Sequence, residues 1–278
     1  MQTVIESDKV KKDIHAKVYS DLHYIPDDNL SFLNRSVTKM EFDRPDYIFF
    51  LGDLIDDSSL SKEQLEKFYD LIYRMSKLSN VILTLGNHDQ FSRNQEGEWI
   101  DNYNIDFINS LKERGAIVLQ NELYQDEFIC AYGMQFPGSY YENGEPLMEF
   151  LQNARNVEFS DFTKFNILLE HSPKHTFNGE LVSSLDNFKN IDLTLAGHFH
   201  NGCIPWYIDK LMLGNFGLID PNGNLFPKNA RGNKYITDTN YGIISSPIIL
   251  FPRASRLNTL QFFNFPKEQH ILIKKKSK

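Results

Sequence analysis

Cysteine is nearly absent: Cys130 and Cys203 are the only two in 278 residues, too few for a disulfide framework and suited to a reducing compartment. Long hydrophobic runs are missing as well. The longest, such as 48–51 and 248–251, fall far short of the ~20 residues that cross a bilayer. The first thirteen residues are mixed and charged, unlike a signal peptide. No internal repeat, low-complexity tract or Gly/Ser linker divides the sequence. Nor is there an excess of positive charge, since 29 Lys and Arg against 37 Asp and Glu leave a net −8. Phosphate backbones select positive faces, so this balance speaks against a nucleic-acid coat or a generic polybasic membrane binder. What is present is 41% hydrophobic and 13% aromatic, which excludes a disordered chain. The composition describes a folded, acidic, cytoplasmic protein, read as a single domain over 1–278.

Five apolar runs, 16–19, 47–51, 81–85, 166–169 and 191–195, have strand length and β-branched or aromatic character. Several are apolar on both faces, as strands inside a covered sheet are. Between the second and third runs, Leu65, Phe68, Tyr69, Ile72 and Met75 recur at helical spacing over 61–78. Ser61 and Gln64 stand there as a capping box. Residues 29–40 and 103–114 read as further amphipathic helices, the latter closed by Gly115. Strand and helix therefore alternate through the first half, which implies parallel βαβ units. The second half reads as strands at 116–118, 127–132, 241–245 and 270–274. Residues 201–240, rich in Gly, Pro and Asn and without a period, read as a long functional loop or subregion near the site.

Each of the five runs ends in an ionisable cluster: Asp21-Leu22-His23, Gly52-Asp53-Leu54-Ile55-Asp56, Gly86-Asn87-His88-Asp89, Glu170-His171 and Gly197-His198-Phe199-His200. Loops at the carboxyl ends of parallel strands converge on one crevice, so these residues should meet in space. Taken singly, each cluster has an ordinary reading as a loop, a turn, a cap or an Asx turn. All five in order, each directly after a strand, are not explained that way. The pooled donors are two aspartates, an asparagine amide and four histidines. Carboxylate oxygens with imidazole nitrogens suit manganese, zinc or iron better than calcium or magnesium. Seven ligands are too many for one open catalytic ion and suit two that share a bridge. His15, His175 and His270 fall outside the pattern and read as surface or packing histidines. No Ser/His/Asp or Cys/His nucleophile pattern is present.

In this order, D-x-H, GDxxD, GNHD, a lone His and GHxH resemble the motif set of the calcineurin-like metallophosphoesterase superfamily. By motif the resemblance covers residues 16 to about 201. It implies an α/β fold, a four-layer αββα sandwich of two mixed β-sheets flanked by helices. It also implies two divalent metal ions, Mn2+ first, with Fe or Zn2+ as alternatives. Carried over residue by residue, Asp21, His23, Asp53 and His200 would hold one ion. Asp53, Asn87, His171 and His198 would hold the other, with Asp53 as the bridge. His88 would face the substrate as general acid, oriented by Asp56, while water activated between the ions attacks phosphorus in line.

Departures from the family's patterns narrow the substrate. Protein phosphatases carry Arg-Gly after the second Asp and Glu after Asn-His, whereas here Asp57-Ser58 and Asp89 follow, which speaks against a phosphoprotein. The segment 167–173 resembles a bacterial subgroup, often membrane-anchored, that cleaves phosphodiesters or the pyrophosphate of lipid-linked sugar nucleotides. The expected partner is thus a small-molecule or lipid-linked phosphodiester or pyrophosphate. A phosphomonoesterase or a nuclease is the alternative among enzymes, the nuclease disfavoured by the charge of −8. A non-catalytic scaffold is disfavoured because no ligand of the pattern is missing. That subgroup often has Gly-Gly after His-x-His; here Asn201-Gly202-Cys203 follows. Trp206, Tyr207, Arg231, Lys234, Arg253 and Arg256, with Tyr140 and Tyr141, read either as substrate contacts or as packing. The lysines at 274–278 read as a solvated end, with peripheral contact to anionic lipid the alternative. A membrane anchor, if the native protein carries one, would lie outside this chain.

Overall fold

The structure is a computed structural model. It describes residues 2–24, 26–55, 60–93, 99–101, 105–136, 141, 163–174, 176–177, 186–204, 214–220, 224–248 and 268–276. In chain order it runs β1 (Gln2–Ser7), β2 (Ile14–Tyr19), α1 (Pro26–Asp43), β3 (Tyr47–Leu51), α2 (Lys62–Ser76), β4 (Asn80–Thr84) and α3 (Asn87–Gln90). A short hairpin, β5 (Phe91–Arg93) and β6 (Trp99–Asp101), leads to α4 (Ile105–Glu113). Then come β7 (Ile117–Val118), β8 (Glu122–Gln125), β9 (Ile129–Met134), β10 (Phe165–Glu170), β11 (Leu193–Ala196), β12 (Gly232–Tyr235), β13 (Tyr241–Ile244) and β14 (Gln269–Lys275).

Apolar residues at both parities let the first-sheet strands bury two faces. Tyr47, Phe49 and Leu51 of β3 point into a core shared with Ile129, Phe165, Ile167, Leu169, Leu193 and Leu195 of the second sheet. Ile48 and Phe50, on the other face, pack with Leu33, Val37 and Met40 of α1, Phe68 and Ile72 of α2, and Phe107 and Leu111 of α4. Each such side chain, once removed from water, contributes about 1.5–3 kcal/mol. The first sheet has the order β1-β14-β2-β3-β4-β7, antiparallel only between β14 and β2. The second has the order β12-β13-β11-β10-β9-β8, parallel through its four central strands and antiparallel at both edges. Two mixed six-stranded sheets flanked by helices are the architecture that the motifs imply. No helix among the described residues is long and apolar enough to cross a membrane.

The capping box before α2 is formed: Ser61 Oγ accepts from the Gln64 amide at 3.3 Å, and Gln64 Oε1 accepts from the Ser61 amide at 2.8 Å. The first helix is longer than 29–40 and opens on Pro26, whose fixed φ and missing N–H suit a first helical position. Two edge strands, β1 and β8, have no counterpart in the sequence reading because they bury too little to leave an apolar run. In β1 only Thr3 is buried. Within 201–240, read as a loop, β12 pairs antiparallel with β13.

Lys17 stands on the outward parity of β2, against α1, with its side chain only 2% exposed. Its ammonium lies 3.2 Å from Asp43 Oδ2 at the end of α1 and 3.1 Å from Glu268 Oε2 just before β14. Two residues on, the Tyr19 hydroxyl is hydrogen-bonded to Ser36 Oγ of α1. His270 Nε2 approaches the same Glu268 oxygen at 3.5 Å. This network, buried at Lys17 and Glu268, fastens β14, β2 and α1 together.

Candidate metal centre

The parallel strands β2, β3, β4, β10 and β11 end at one edge of the sandwich, and each delivers its polar cluster there. Backbone bonds carry the β2–β3 ladder beyond the strands, with the Asp21 amide on the Gly52 carbonyl at 3.2 Å and the His23 amide on the Asp53 carbonyl at 2.9 Å. From the second sheet, the Gly197 amide bonds the His171 carbonyl at 2.9 Å. Three loops of one sheet therefore face two loops of the other. The conformations are costly: Asp21, His23, Asp53, His198 and His200 all have positive φ, between 40° and 68°. Backbone of this kind in residues other than glycine concentrates at functional sites, where the surroundings over-determine it. Gly52, at φ +85°, leaves no choice of residue. A Cβ there would lie 2.5 Å from the Gly86 amide nitrogen and 2.6 Å from His171 Nδ1.

The side chains form two groups with one member in common. Ligand atoms of Asp21, His23, Asp53 and His200 lie within 4.8 Å of one another, as do those of Asp53, His171 and His198, and all six residues are buried. Asn87 joins the second group, its Oδ1 3.2 Å from His171 Nε2. Asp53 divides its oxygens between two tasks. Oδ1 accepts from the His88 amide at 2.9 Å, and Oδ2 stands 3.7 Å from His23 Nε2 and 3.2 Å from His171 Nε2. One oxygen thus sits between the two histidine sets. Asp21 receives the His198 amide at 3.0 and 3.1 Å and faces His200 Nε2 at 3.5 Å, while Ser20 Oγ bonds its Oδ2. Ring nitrogens confront each other at 3.3 Å for His23 and His200 and 3.2 Å for His171 and His198.

Charge within the cluster is split accordingly. Burial opposes ionisation of Asp53, but His171, His88 and His23 hold its carboxyl well below the usual range. Burial would lower His171, yet the Asp53 carboxylate lifts it to about 9. Burial together with the charge on His171 pushes His198 well below the ordinary imidazole value, leaving a lone-pair donor. Two carboxylates, an amide oxygen and four imidazoles facing inward at these spacings fit a pair of divalent cations. His171 Nδ1 sits 2.6 Å from the Leu51 carbonyl, a contact that fixes the orientation of the ring and is of the kind that metal-binding histidines use.

His88 differs from the other histidines of the site in being only half-buried, with its ring edge-on to His23 at 4.9 Å between centroids. The motif residue Asp89 has a task that the sequence reading missed. Its Oδ1 accepts the Leu54 and Ile55 amides at 2.8 and 3.2 Å, and its Oδ2 accepts the Gly86 amide at 2.8 Å. The loop after Asp53 and the loop before Asn87 are thereby held by one carboxylate. Burial and the neighbouring Asp53 charge raise this group to about 7. Tyr141, left open in the sequence between substrate contact and packing, is buried against the site, its ring 5.2 Å from that of His198 and 6.0 Å from that of His171. Lys234 is engaged structurally, donating to the Phe177 carbonyl at 2.5 Å and to Asn229 Oδ1 at 2.9 Å. Arg231 is buried. Asp56, Tyr140, Trp206, Tyr207, Arg253 and Arg256 lie outside the described residues, as does His175. His15 is exposed, and His270 belongs to the Lys17 network.

The family profile of the calcineurin-like phosphoesterases matches residues 14–202, the stretch that supplies every member of the two donor groups. The chain belongs to that family. It is 24% identical over 201 residues to an uncharacterised metallophosphoesterase of Campylobacter jejuni, covering 72% of this chain and 47% of that protein. A Helicobacter pylori protein of the same description is 24% identical over 206 residues, 73% of this chain and 49% of its own. The chain thus spans about half the length of the curated relatives it matches. Among solved structures, a dimetal phosphatase from Danio rerio aligns over 84% of this chain and 87% of its own, at 13% identity and a TM-score of 0.49.

Proposed function

We propose that the chain is a metal-dependent phosphoester hydrolase with two cations, acting on a phosphodiester or pyrophosphate of a small or lipid-linked substrate. The observation that carries this reading is the shared oxygen: Asp53 Oδ2 lies between His23 and His171, which belong to different donor groups. Asp21, His23, Asp53 and His200 would hold one ion, and Asp53, Asn87, His171 and His198 the other. Manganese is the first choice, and iron or zinc would also suit the donors. When bound, such a pair lowers the pKa of coordinated water and neutralises phosphoryl charge. The protein's own contribution is arrangement. Buried carboxylates and imidazoles are fixed before substrate arrives, so little reorganisation is left for the reaction. His88, half-buried beside the cluster with its amide anchored on Asp53, is placed to donate a proton to the departing oxygen. Asp56, three residues beyond Asp53, is the proposed orienting partner of that imidazole.

The test is hydrolysis of a bis-aryl phosphate diester against the matching monoester, with Mn2+ supplied and then chelated. Chelator-sensitive turnover that favours the diester is expected. Preference for the monoester would overturn the diester assignment and leave the metal chemistry standing. Turnover that survives complete metal removal would overturn the metal reading itself.

A further inference from the structure

His200 ends the last ligand cluster, and the backbone that follows it turns the wrong way. His200, Asn201, Gly202 and Cys203 have φ of 47°, 54°, 64° and 51°, four successive residues in the left-handed region that L-residues avoid. Glycine enters it freely and asparagine tolerates it, which gives a physical reason for Asn201-Gly202 at this place; His200 and Cys203 have no such licence. A turn of this kind persists only when something outside it over-determines the conformation.

That something is visible. The Gly202 carbonyl accepts two amides, Leu218 at 2.8 Å and Ile219 at 3.3 Å, from a small lobe formed by residues 214–220 and 224–230. The lobe is itself a closed ribbon. Ile219 bridges Leu225, the Phe226 amide bonds the Leu218 carbonyl at 3.0 Å, and the Gly217 amide bonds the Pro227 carbonyl at 2.9 Å. Its base is tied to the loop that follows His171, because Lys234 spans Asn229 and the Phe177 carbonyl. At the contact the two glycine backbones touch. A Cβ on Gly217 would stand 2.6 Å from Gly202 Cα, with Ala230 Cβ and Pro227 Cγ each at 3.0 Å.

We infer that this lobe is a positioning clamp for His200: it holds the left-handed turn and so keeps His200 Nε2 against His23 and Asp21. Gly217 acts through His200 and touches no ligand atom. Displacing the lobe would take both donors from the Gly202 carbonyl, let the turn relax and draw His200 away from its group. The consequence falls on the cation site that uses His200, since His171 and Asn87 belong to other loops and His198, earlier in the same loop, is held separately by its amide on the Asp21 carboxylate at 3.0 and 3.1 Å. The inference rests on the two-metal reading above.

The test is a Co2+ titration of the metal-free protein, followed by visible absorption, with His200→Ala identifying which binding step depends on that ligand. In Gly217→Ala that step should weaken about tenfold or more, the scale typical of groups that orient a ligand, while the other step is unchanged. Identical isotherms for wild type and Gly217→Ala would overturn the clamp. Equal weakening of both steps would overturn it too, as general loosening. Should Gly217→Ala fail to fold, Asn201→Gly and Asn201→Val decide the matter. The glycine variant should match or tighten the His200-dependent step and the valine variant should weaken it, and coincident curves would refute the clamp. A wild type without two cobalt steps would instead refute the metal reading beneath it.

Discussion

Glu268 offers a measurement in which the sign and the pH window both follow from the fold. Its carboxylate sits against the Lys17 ammonium with 8% of the side chain exposed. Burial works against its ionisation, but His270 and Ser36 beside it and the charge on Lys17 prevail, and the group drops from 4.5 to about 2. A carboxyl depressed by folding stabilises the native state above its unfolded pKa, and that stabilisation is lost as pH falls toward the folded value. The drop corresponds to at most roughly 3 kcal/mol, trimmed toward 2 by the solvent that reaches the neighbouring Asp43 and His270, whose side chains are 52% and 40% exposed. Urea unfolding of wild type and Glu268→Gln from pH 7 to pH 3 is the assay, and the difference between the two cancels acid effects common to both. At pH 7 the variant should be less stable by roughly 2–3 kcal/mol. The gap should begin to close below about pH 5 and be half gone near pH 3. A gap that stays constant with pH, or none at pH 7, would refute the reasoning.

The site yields three further expectations. Asp53→Asn should weaken both bound metals together, measured as metal content after dialysis against a graded chelator; loss of one ion alone would disprove the shared ligand. His88→Ala should lower kcat by about 10²–10⁴ with metal content intact, and loss of metal would remove His88 from its assigned role. Asp89→Asn leaves a single oxygen for amides that now use two, so competition with a chelator should show metal affinity falling about 10–100-fold. An unchanged affinity would mean that the two loops hold their places without Asp89.

What could be read from sequence was whatever one segment settles by itself. The helix after Ser61 announced itself because its cap and its apolar stripe lie within 15 residues. The five central strands were legible because burial on two faces leaves unbroken apolar runs, and the site clusters because they follow those runs directly. Edge strands gave no such signal: β8 pairs on one side only and buries almost nothing. Asp89 looked like a turn residue, since two of its three amide partners belong to a loop more than thirty positions away. Tyr141 stood undecided between contact and packing, because its ring meets histidines 30 and 57 positions later, which no local pattern announces. The left-handed backbone of Asp21, His23 and His200 was equally silent, for only the glycines of a sequence advertise it.

The place of β14 has a consequence for the order in which the protein can be assembled. It lies between β1 and β2, parallel to one and antiparallel to the other. When synthesis has reached residue 248, β3, β4 and β7 already have β2 to build on, whereas β14, the strand that β1 pairs with, has yet to be made. Strand β1 therefore waits for a partner more than two hundred residues further along, and its closure is one of the more non-local steps among the described residues, a kind of pairing that forms slowly. Removing residues 269–275 would accordingly cost two strands rather than one, and would leave the outer edge of β2 open to any extended segment that came its way.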